Sequence, residues 1–324
     1  MMTTGINIFE PLQEEGMKKI SRLSGVLITC LLACSLAFAA PGKTGGQFLK
    51  INPSARASAM AGAFAGLADD IFALYSNPAG LAQFQKAELA TTYLRYFGDI
   101  NFGFIGYASS LHDKGVIGFG YTYLLVDKIE KRGIDETLLG EFNAKDTDLA
   151  LSYAYKNAVP SVLEGLDLGG SVKIINSEID QTIAYTVALD AAALYRPAKN
   201  LSLGLAVQNM SPGIKFKEVT DPLPLDLKFG VSFLPSQELC INGEIDEYII
   251  DNKFYAALGM EYWLVKQLAL RAGYRFGYDT ASLGSSVGLS AGLGFRIWSV
   301  GLDYAFVPFG DLGDTHRITF TAKF

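Results

Sequence analysis

The chain has only two histidines, His112 and His316, and His112 has serines close by. Ser109-Ser110-Leu111-His112-Asp113 places a nucleophile type, a base and a carboxylate side by side. In an acyl-transfer enzyme such residues act together: the imidazole takes the hydroxyl proton and the carboxylate orients the ring. Within one tight turn the three cannot be aimed at one another, so no hydrolase is expected. No spacing of His, Cys or carboxylates matches a metal-ligand set. Asp69-Asp70 could hold a cation, but the pair is better read as capping a helix or pairing with arginines. Of the three cysteines, Cys30 and Cys34 fall in an N-terminal leader; Cys240 alone makes neither a disulfide nor a thiolate cluster. No catalytic residue, metal or cofactor is therefore expected.

The elements that must position any site are strands. In Leu149–Tyr155, Leu149, Leu151, Tyr153 and Tyr155 share a face opposite Asp148, Ala150, Ser152 and Ala154. Leu225, Leu227, Phe229, Val231 and Phe233 oppose Asp226, Lys228, Gly230 and Ser232 in the same way. Leu268, Leu270, Ala272, Tyr274 and Phe276 oppose Ala269, Arg271, Gly273 and Arg275. This alternation is the strand signature. About fourteen such segments begin near 88, 101, 115, 146, 167, 184, 201, 225, 238, 253, 267, 288, 299 and 316. Each approaches the roughly 9–11 residues that cross a bilayer at a tilt. Through most of the chain short spacers (197–200, 234–237, 265–267, 298–299) alternate with long ones (126–145, 209–224, 278–286, 307–316), although 156–166 is longer than a tight turn. Short turns on one side and long loops on the other are the layout of an outer-membrane barrel.

The two faces decide the solvent. One carries Leu, Val, Ile, Phe and Tyr; the other is mostly Gly, Ala and Ser with sparse charge. A water-soluble barrel would bury the large residues and expose Lys and Glu. Here the large face suits lipid and the small face suits a narrow, partly filled lumen. The expected fold is all-β: a transmembrane antiparallel barrel of about fourteen strands with a short helical plug at its N-terminus. Inward charges follow from the period. Arg271, Arg275, Arg296, Arg317 and Lys323 face Asp148, Asp190, Asp226, Glu244, Asp246, Glu261 and Asp303 across the lumen. They are expected to form a salt-bridge network that stiffens the barrel and holds the plug, rather than a substrate path. The terminal Phe324, after Phe320 and with Tyr304 and Phe306 one strand earlier, matches an aromatic membrane-insertion signal.

Three domains are expected. Residues 1–39 read as a cleaved signal peptide, with Lys18, Lys19 and Arg22 before GVLITCLLACSLAFAA and small residues at Ala37 and Ala39. Residues 1–16 fit no signal peptide, and Met17-Lys18-Lys19 reads as the true start. An anchor helix is an alternative, although the apolar core is short of the ~20 residues that spanning requires. Leu32-Ala33-Cys34 also faintly resembles a lipoprotein site, with an atypical Leu at 32. Residues 40–86 break the strand period and are apolar enough to need burial, for which the lumen is the available place. Residues 87–324 form the barrel. The leader removes equal numbers of acids and bases, so the net charge stays −6. No basic block suggests a nucleic-acid partner. The partners expected are outer-membrane lipid and the barrel assembly machinery.

The stretch GGQFLKINPSARASAMAGAFAGLADDIFALYSNPAGLA, residues 45–82, closely resembles the start of PorV/PorQ family outer-membrane proteins, relatives of the FadL-type fatty-acid channels. The resemblance is carried by Phe48-Leu49, Ala55-Arg56-Ala57, Met60 with Gly62, Asp69-Asp70, and Asn77-Pro78-Ala79-Gly80-Leu81, and later by Pro222-Leu223-Pro224-Leu225. The chain departs from the family pattern in having Ala61 within Met-Gly-Gly and Ser76 in place of Trp. The resemblance implies about fourteen strands and an N-terminal plug. It also implies one of two functions. A PorV-type barrel serves type IX secretion by binding secreted proteins through their C-terminal signal domains. A FadL-like channel passes hydrophobic small molecules such as fatty acids or hydrocarbons, gated by the plug. Cargo binding would use the loops at 126–145 and 209–224; passage would need an apolar pocket near Phe64, Phe72, Leu74 and Tyr75.

Overall fold

The computed structural model describes residues 43–324 apart from 97, 99 and 162. The expected signal peptide, with Cys30 and Cys34, lies outside the described residues. The strands are β1 (Glu88–Arg95), β2 (Asn101–Ser110), β3 (Val116–Arg132), β4 (Leu138–Tyr155), β5 (Leu166–Ile179), β6 (Thr182–Ala198), β7 (Leu201–Met210) and the short β8 (Ile214–Phe216) and β9 (Val219–Asp221). There follow β10 (Asp226–Phe233), β11 (Leu239–Tyr248), β12 (Lys253–Val265), β13 (Leu268–Phe276), β14 (Leu289–Ile297), β15 (Val300–Pro308) and β16 (Asp314–Lys323). All but β8 and β9 close into one antiparallel barrel of fourteen strands, each beside its sequence neighbour, with β7 pairing β10. The seam runs from Glu88↔Lys323 to Arg95↔His316. Closure leaves no sheet edge, which is what a bilayer demands of a spanning β structure. Among the described residues no helix is long and apolar enough to cross a membrane.

Side-chain alternation sets inside from outside. β1 alternates strictly, burying Glu88, Ala90, Thr92 and Leu94. The outward residues are large and apolar: Leu149 is 51% exposed, Ile174 52% and Leu258 57%. Such a continuous apolar surface is untenable in water but is the surface a barrel shows to lipid.

Two expectations about loops change. The spacer 126–145 is not a loop, and the strand expected near 146 begins at Leu138. β3 and β4 stay paired to Arg132↔Leu138, past a register shift between Val126 and Ile129, and turn at Gly133–Thr137. The apolar alternation ends near Leu125, where the strands leave the lipid band, but backbone pairing needs no apolar face to continue. The β5–β6 turn at the same end is tight, only Asp180-Gln181 between strands, with Asp180 at positive φ. One end of the barrel is therefore distinguished by strands projecting beyond the lipid band as much as by loop length. The 209–224 spacer carries the β8–β9 hairpin, and Thr280–Leu283 forms a short helix. Asp279 caps that helix by accepting from the Ser282 amide at 3.2 Å, and Ser282 holds its carboxyl below the usual range.

Residues 47–83 run inside the barrel wall. They hold a 3-10 turn at Gln47–Lys50, α1 (Ala55–Ala59), α2 (Ala73–Ser76) and a 3-10 turn at Pro78–Gln83. Ser54 caps α1 by accepting from Ala57 N at 3.0 Å, and Asn77 caps the last turn by accepting from Ala79 N at 3.1 Å. The small residues Ala55, Ala59, Gly62 and Gly66 do not share a single helical face. α1 stops at Ala59, and Ala61 and Gly62 take positive φ. The small residues serve backbone-to-wall contact instead. A Cβ on Gly66 would lie 2.7 Å from the backbone of Gly230 and Val231 on β10. The segment begins beside the long loops, where Gly45 N donates to Pro222 O at 3.0 Å. It leaves at the opposite end into β1, where Phe324 N donates to Ala87 O at 2.9 Å.

Candidate functional site

Arg56, the second residue of α1, is a buried cation in an otherwise uncharged Ala-rich run. Its guanidinium makes a fork with Glu261 on β12: Nε donates to Oε2 at 2.8 Å and Nη2 to Oε1 at 2.7 Å. Its remaining donor edge returns to its own segment, Nη1 reaching Asp69 at 2.6 Å and Asp70 at 3.0 Å. Glu261 also accepts from Arg271 Nε at 2.6 Å. Arg271 Nη1 donates to Asp303 at 2.8 Å, and Arg296 grips Asp303 at 2.8 and 2.9 Å. One continuous ionic chain thus runs Asp69/Asp70–Arg56–Glu261–Arg271–Asp303–Arg296, from the N-terminal segment into the wall. Bidentate arginine contacts of this kind are the strong class of charge-assisted hydrogen bond.

A second cluster sits beside it. Asp246 accepts from Lys228 at 2.8 Å and from Arg275 at 2.5 Å. Lys228 also meets Asp226 at 3.0 Å and Glu244 at 3.7 Å. Glu244 takes the backbone amides of Phe64 and Ala65 at 2.8 and 2.6 Å. Here a wall carboxylate satisfies donors that the irregular segment leaves without a helical partner. Polar wall residues do the same along its length. Ser290 Oγ donates to Ala59 O at 3.0 Å, Ser202 Oγ to Gly66 O at 2.6 Å and Gln208 Nε2 to Tyr75 O at 2.6 Å. Lys50 is paired with Asp251, which Thr44 also reaches at 2.9 Å.

The structure brings together Asp69, Asp70, Glu261, Arg271, Asp303 and Arg296 in one chain, and Asp226, Glu244 and Arg275 in the other. The arginine that meets Asp69-Asp70 comes from the segment itself and not from a barrel strand. Period-two reasoning cannot reach Arg56, since it lies outside the strands; the signal was a lone charge among small apolar residues. Lys228 was legible as inward-facing, but it pairs within its own neighbourhood on β10 and β11. Asp148 and Asp190 lie on the far wall; Asp190 meets Lys173 at 2.6 Å. Lys323 meets Glu88 at 3.3 Å across the seam.

Asn77 Nδ2 donates to Ala65 O at 2.8 Å and to Ala193 O on β6 at 3.2 Å, pinning the turn that opens Pro78-Ala79-Gly80-Leu81. Phe64, Phe72 and Leu74 are each at most 2% exposed. They belong to one apolar cluster with Met60, Ile71, Leu81 and Phe104, in which the Phe72 and Phe104 ring centroids are 5.2 Å apart. Tyr75 is half-buried, and its hydroxyl donates to Leu49 O at 2.7 Å. Ser110 Oγ accepts from the backbone of His112 at 3.2 Å. His316 lies at the other end of the barrel, on its outer face, 2.7 Å from the Tyr304 hydroxyl. Among the described residues no group of three or more His, Cys, Asp or Glu could hold a metal ion.

The profile of the type IX secretion system protein PorV matches residues 41–249. This chain belongs to the PorV family. The match spans the N-terminal segment and the strands through β11. The sequence matches no curated protein. Among solved structures, the barrel is similar to the Ralstonia pickettii toluene transporter TbuX, at 13% identity and TM-score 0.56, covering 85% of this chain and 98% of that one. It is similar to the monoaromatic hydrocarbon channel CymD, at 13% identity and TM-score 0.57, covering 85% and 97%. A Pseudomonas aeruginosa FadL homologue matches at 12% identity and TM-score 0.55, covering 89% and 99%. At such identities the likeness shows the fold: this PorV-family member is a FadL-like outer-membrane barrel.

Proposed function

We propose that this PorV-family barrel is a non-enzymatic carrier or component for the export of proteins in a type IX-like system. The observation that carries the proposal is the family match over residues 41–249, in a barrel whose lumen is braced. Two ionic clusters and backbone-to-glycine contacts tie the N-terminal segment to the wall, which favours a scaffold over an open conduit. Working surfaces are then at the long-loop end, where the β3–β4 hairpin projects. In this proposal residues 1–39 are a cleaved signal peptide, 40–86 a plug and 87–324 the membrane barrel, with Phe324 read by the assembly machinery. In cells with a type IX system, a variant with residues 129–142 replaced by a short Gly-Ser turn should insert normally. It should leave a reporter bearing a C-terminal signal domain in the periplasm. Unchanged reporter secretion by a normally inserted variant removes the carrier role from this hairpin.

The alternative, a FadL-like channel for hydrophobic small molecules, is favoured by the fold shared with hydrocarbon channels. It requires the segment to move, because Phe64, Phe72 and Leu74 pack against each other's neighbours in the buried cluster. Toluene or fatty-acid uptake by vesicles holding the purified barrel would establish it.

A further inference from the structure

At the long-loop end a cavity of about 150 Å³ opens between the N-terminal segment and the wall. It is lined by three cations, Lys50, Arg275 and Arg317. Two are neutralised: Lys50 by Asp251 and Arg275 by Asp246. Arg317 on β16 is 4% exposed, and among the described residues it meets no carboxylate. Its Nη1 donates to the Thr315 hydroxyl at 3.1 Å, and its Nε has no partner. Across the cavity on α1, Ser58 is 6% exposed and its hydroxyl also has no partner. Ser290, which lines the same space, spends its hydroxyl on Ala59 O and Ala61 N. A buried cation and a buried hydroxyl left unmatched in one cavity are costly unless something fills it.

The remaining wall is aromatic. Tyr248, Tyr255, Tyr278, Phe309 and Tyr96 follow one another at centroid separations of 6.0, 5.2, 6.4 and 5.5 Å. Lys50 and Arg275 lie over the faces of Tyr248 and Tyr255 at 4.9 and 4.7 Å. Those two rings already carry cations on one face, so a further cation is disfavoured and a planar apolar body is not. A space on the order of 150 Å³ accepts a single benzene-sized ring.

We propose that this mouth cavity binds a small aromatic carboxylate, its carboxylate on Arg317 and Ser58 and its ring among the tyrosines. A carboxylate offers Arg317 Nε the acceptor it lacks and supplies the negative charge missing from the cavity. The site reaches beyond the export function. It is measured on purified barrel without cargo, so either can fail without the other.

The test is calorimetric titration of the detergent-purified full barrel with benzoate and, as the neutral ring, benzyl alcohol. Benzoate should bind saturably at one site, and benzyl alcohol about tenfold or more weaker, the loss expected for one charge-assisted bond. Arg317→Gln should weaken benzoate about tenfold or more on the same grounds, and Ser58→Ala severalfold. No saturable benzoate heat, equal affinity for benzyl alcohol, or unchanged benzoate affinity in Arg317→Gln each overturns the proposal. If Arg317→Gln does not fold, the benzoate/benzyl alcohol comparison on the native barrel and the Ser58→Ala variant decide it.

Discussion

Replacing Arg56 with alanine tests whether ion pairing holds the N-terminal segment in the lumen. The side chains of Asp70 and Glu261 are 9% and 3% exposed, so both would be left as buried carboxylates. Asp69, 38% exposed, is screened by water and adds little. Breaking a buried pair from one side costs about 3–5 kcal/mol. Glu261 keeps Arg271, so the lower end applies. A loss of about 3 kcal/mol raises the population of the detached segment about a hundredfold. Limited proteolysis of folded barrel in detergent reads this directly, because cleavage within residues 43–86 follows the open population when closing is fast. Cleavage should accelerate about a hundredfold, with the barrel still running as a folded species on unboiled gels. Arg56→Lys should fall between, keeping the charge but losing the fork. Unchanged cleavage in Arg56→Ala would refute anchoring by this ionic chain and leave packing as the sole restraint.

The same protease assay should rank Asp70→Ala well below Arg56→Ala, since Arg56 then retains Glu261 and Asp69; equal effects would contradict the ionic chain. Gly66→Ala should lower the temperature at which the barrel unfolds on gels, because the added methyl meets the Gly230 backbone and overpacking costs about 1–3 kcal/mol. A wild-type transition would show that this contact has slack. Glu244→Gln should speed hydrogen exchange at the Phe64 and Ala65 amides by about tenfold, as a charge-assisted acceptor becomes neutral. Unaltered exchange there would mean that the segment holds without it. Replacement of residues 129–142 should leave heat resistance of the barrel unchanged, because that hairpin stands clear of the lipid band.

Strand number, register face and the inward charges were legible because lipid on one side and a narrow lumen on the other impose an uninterrupted period of two. Leu149, Phe229 and Ile318 could be placed outside by counting. The same rule hid the outer half of the β3–β4 hairpin, since Asp127–Glu136 meets water on both faces and has no reason to alternate. The internal segment was visible only as a break in period. Its family motif marked Asn77-Pro78 and Asp69-Asp70, yet the partner of those aspartates was set by tertiary approach of α1 to β12. The pairing of Arg56 with Glu261 joins residues 205 positions apart, which no local pattern records.

The path of the N-terminal segment constrains how the protein is assembled. It enters the lumen at one end and passes straight into β1 at the other, and β1 forms the closing seam with β16. A barrel zipped first would have to draw this end of the chain through a bore in which Gly66 meets the backbone of Gly230 with no clearance. The passable order is the reverse: fourteen strands wrap a chain already lying across their concave face, and the seam between the first and last strands shuts behind it. The piece that fills the finished barrel is in this sense the mandrel on which it is wound.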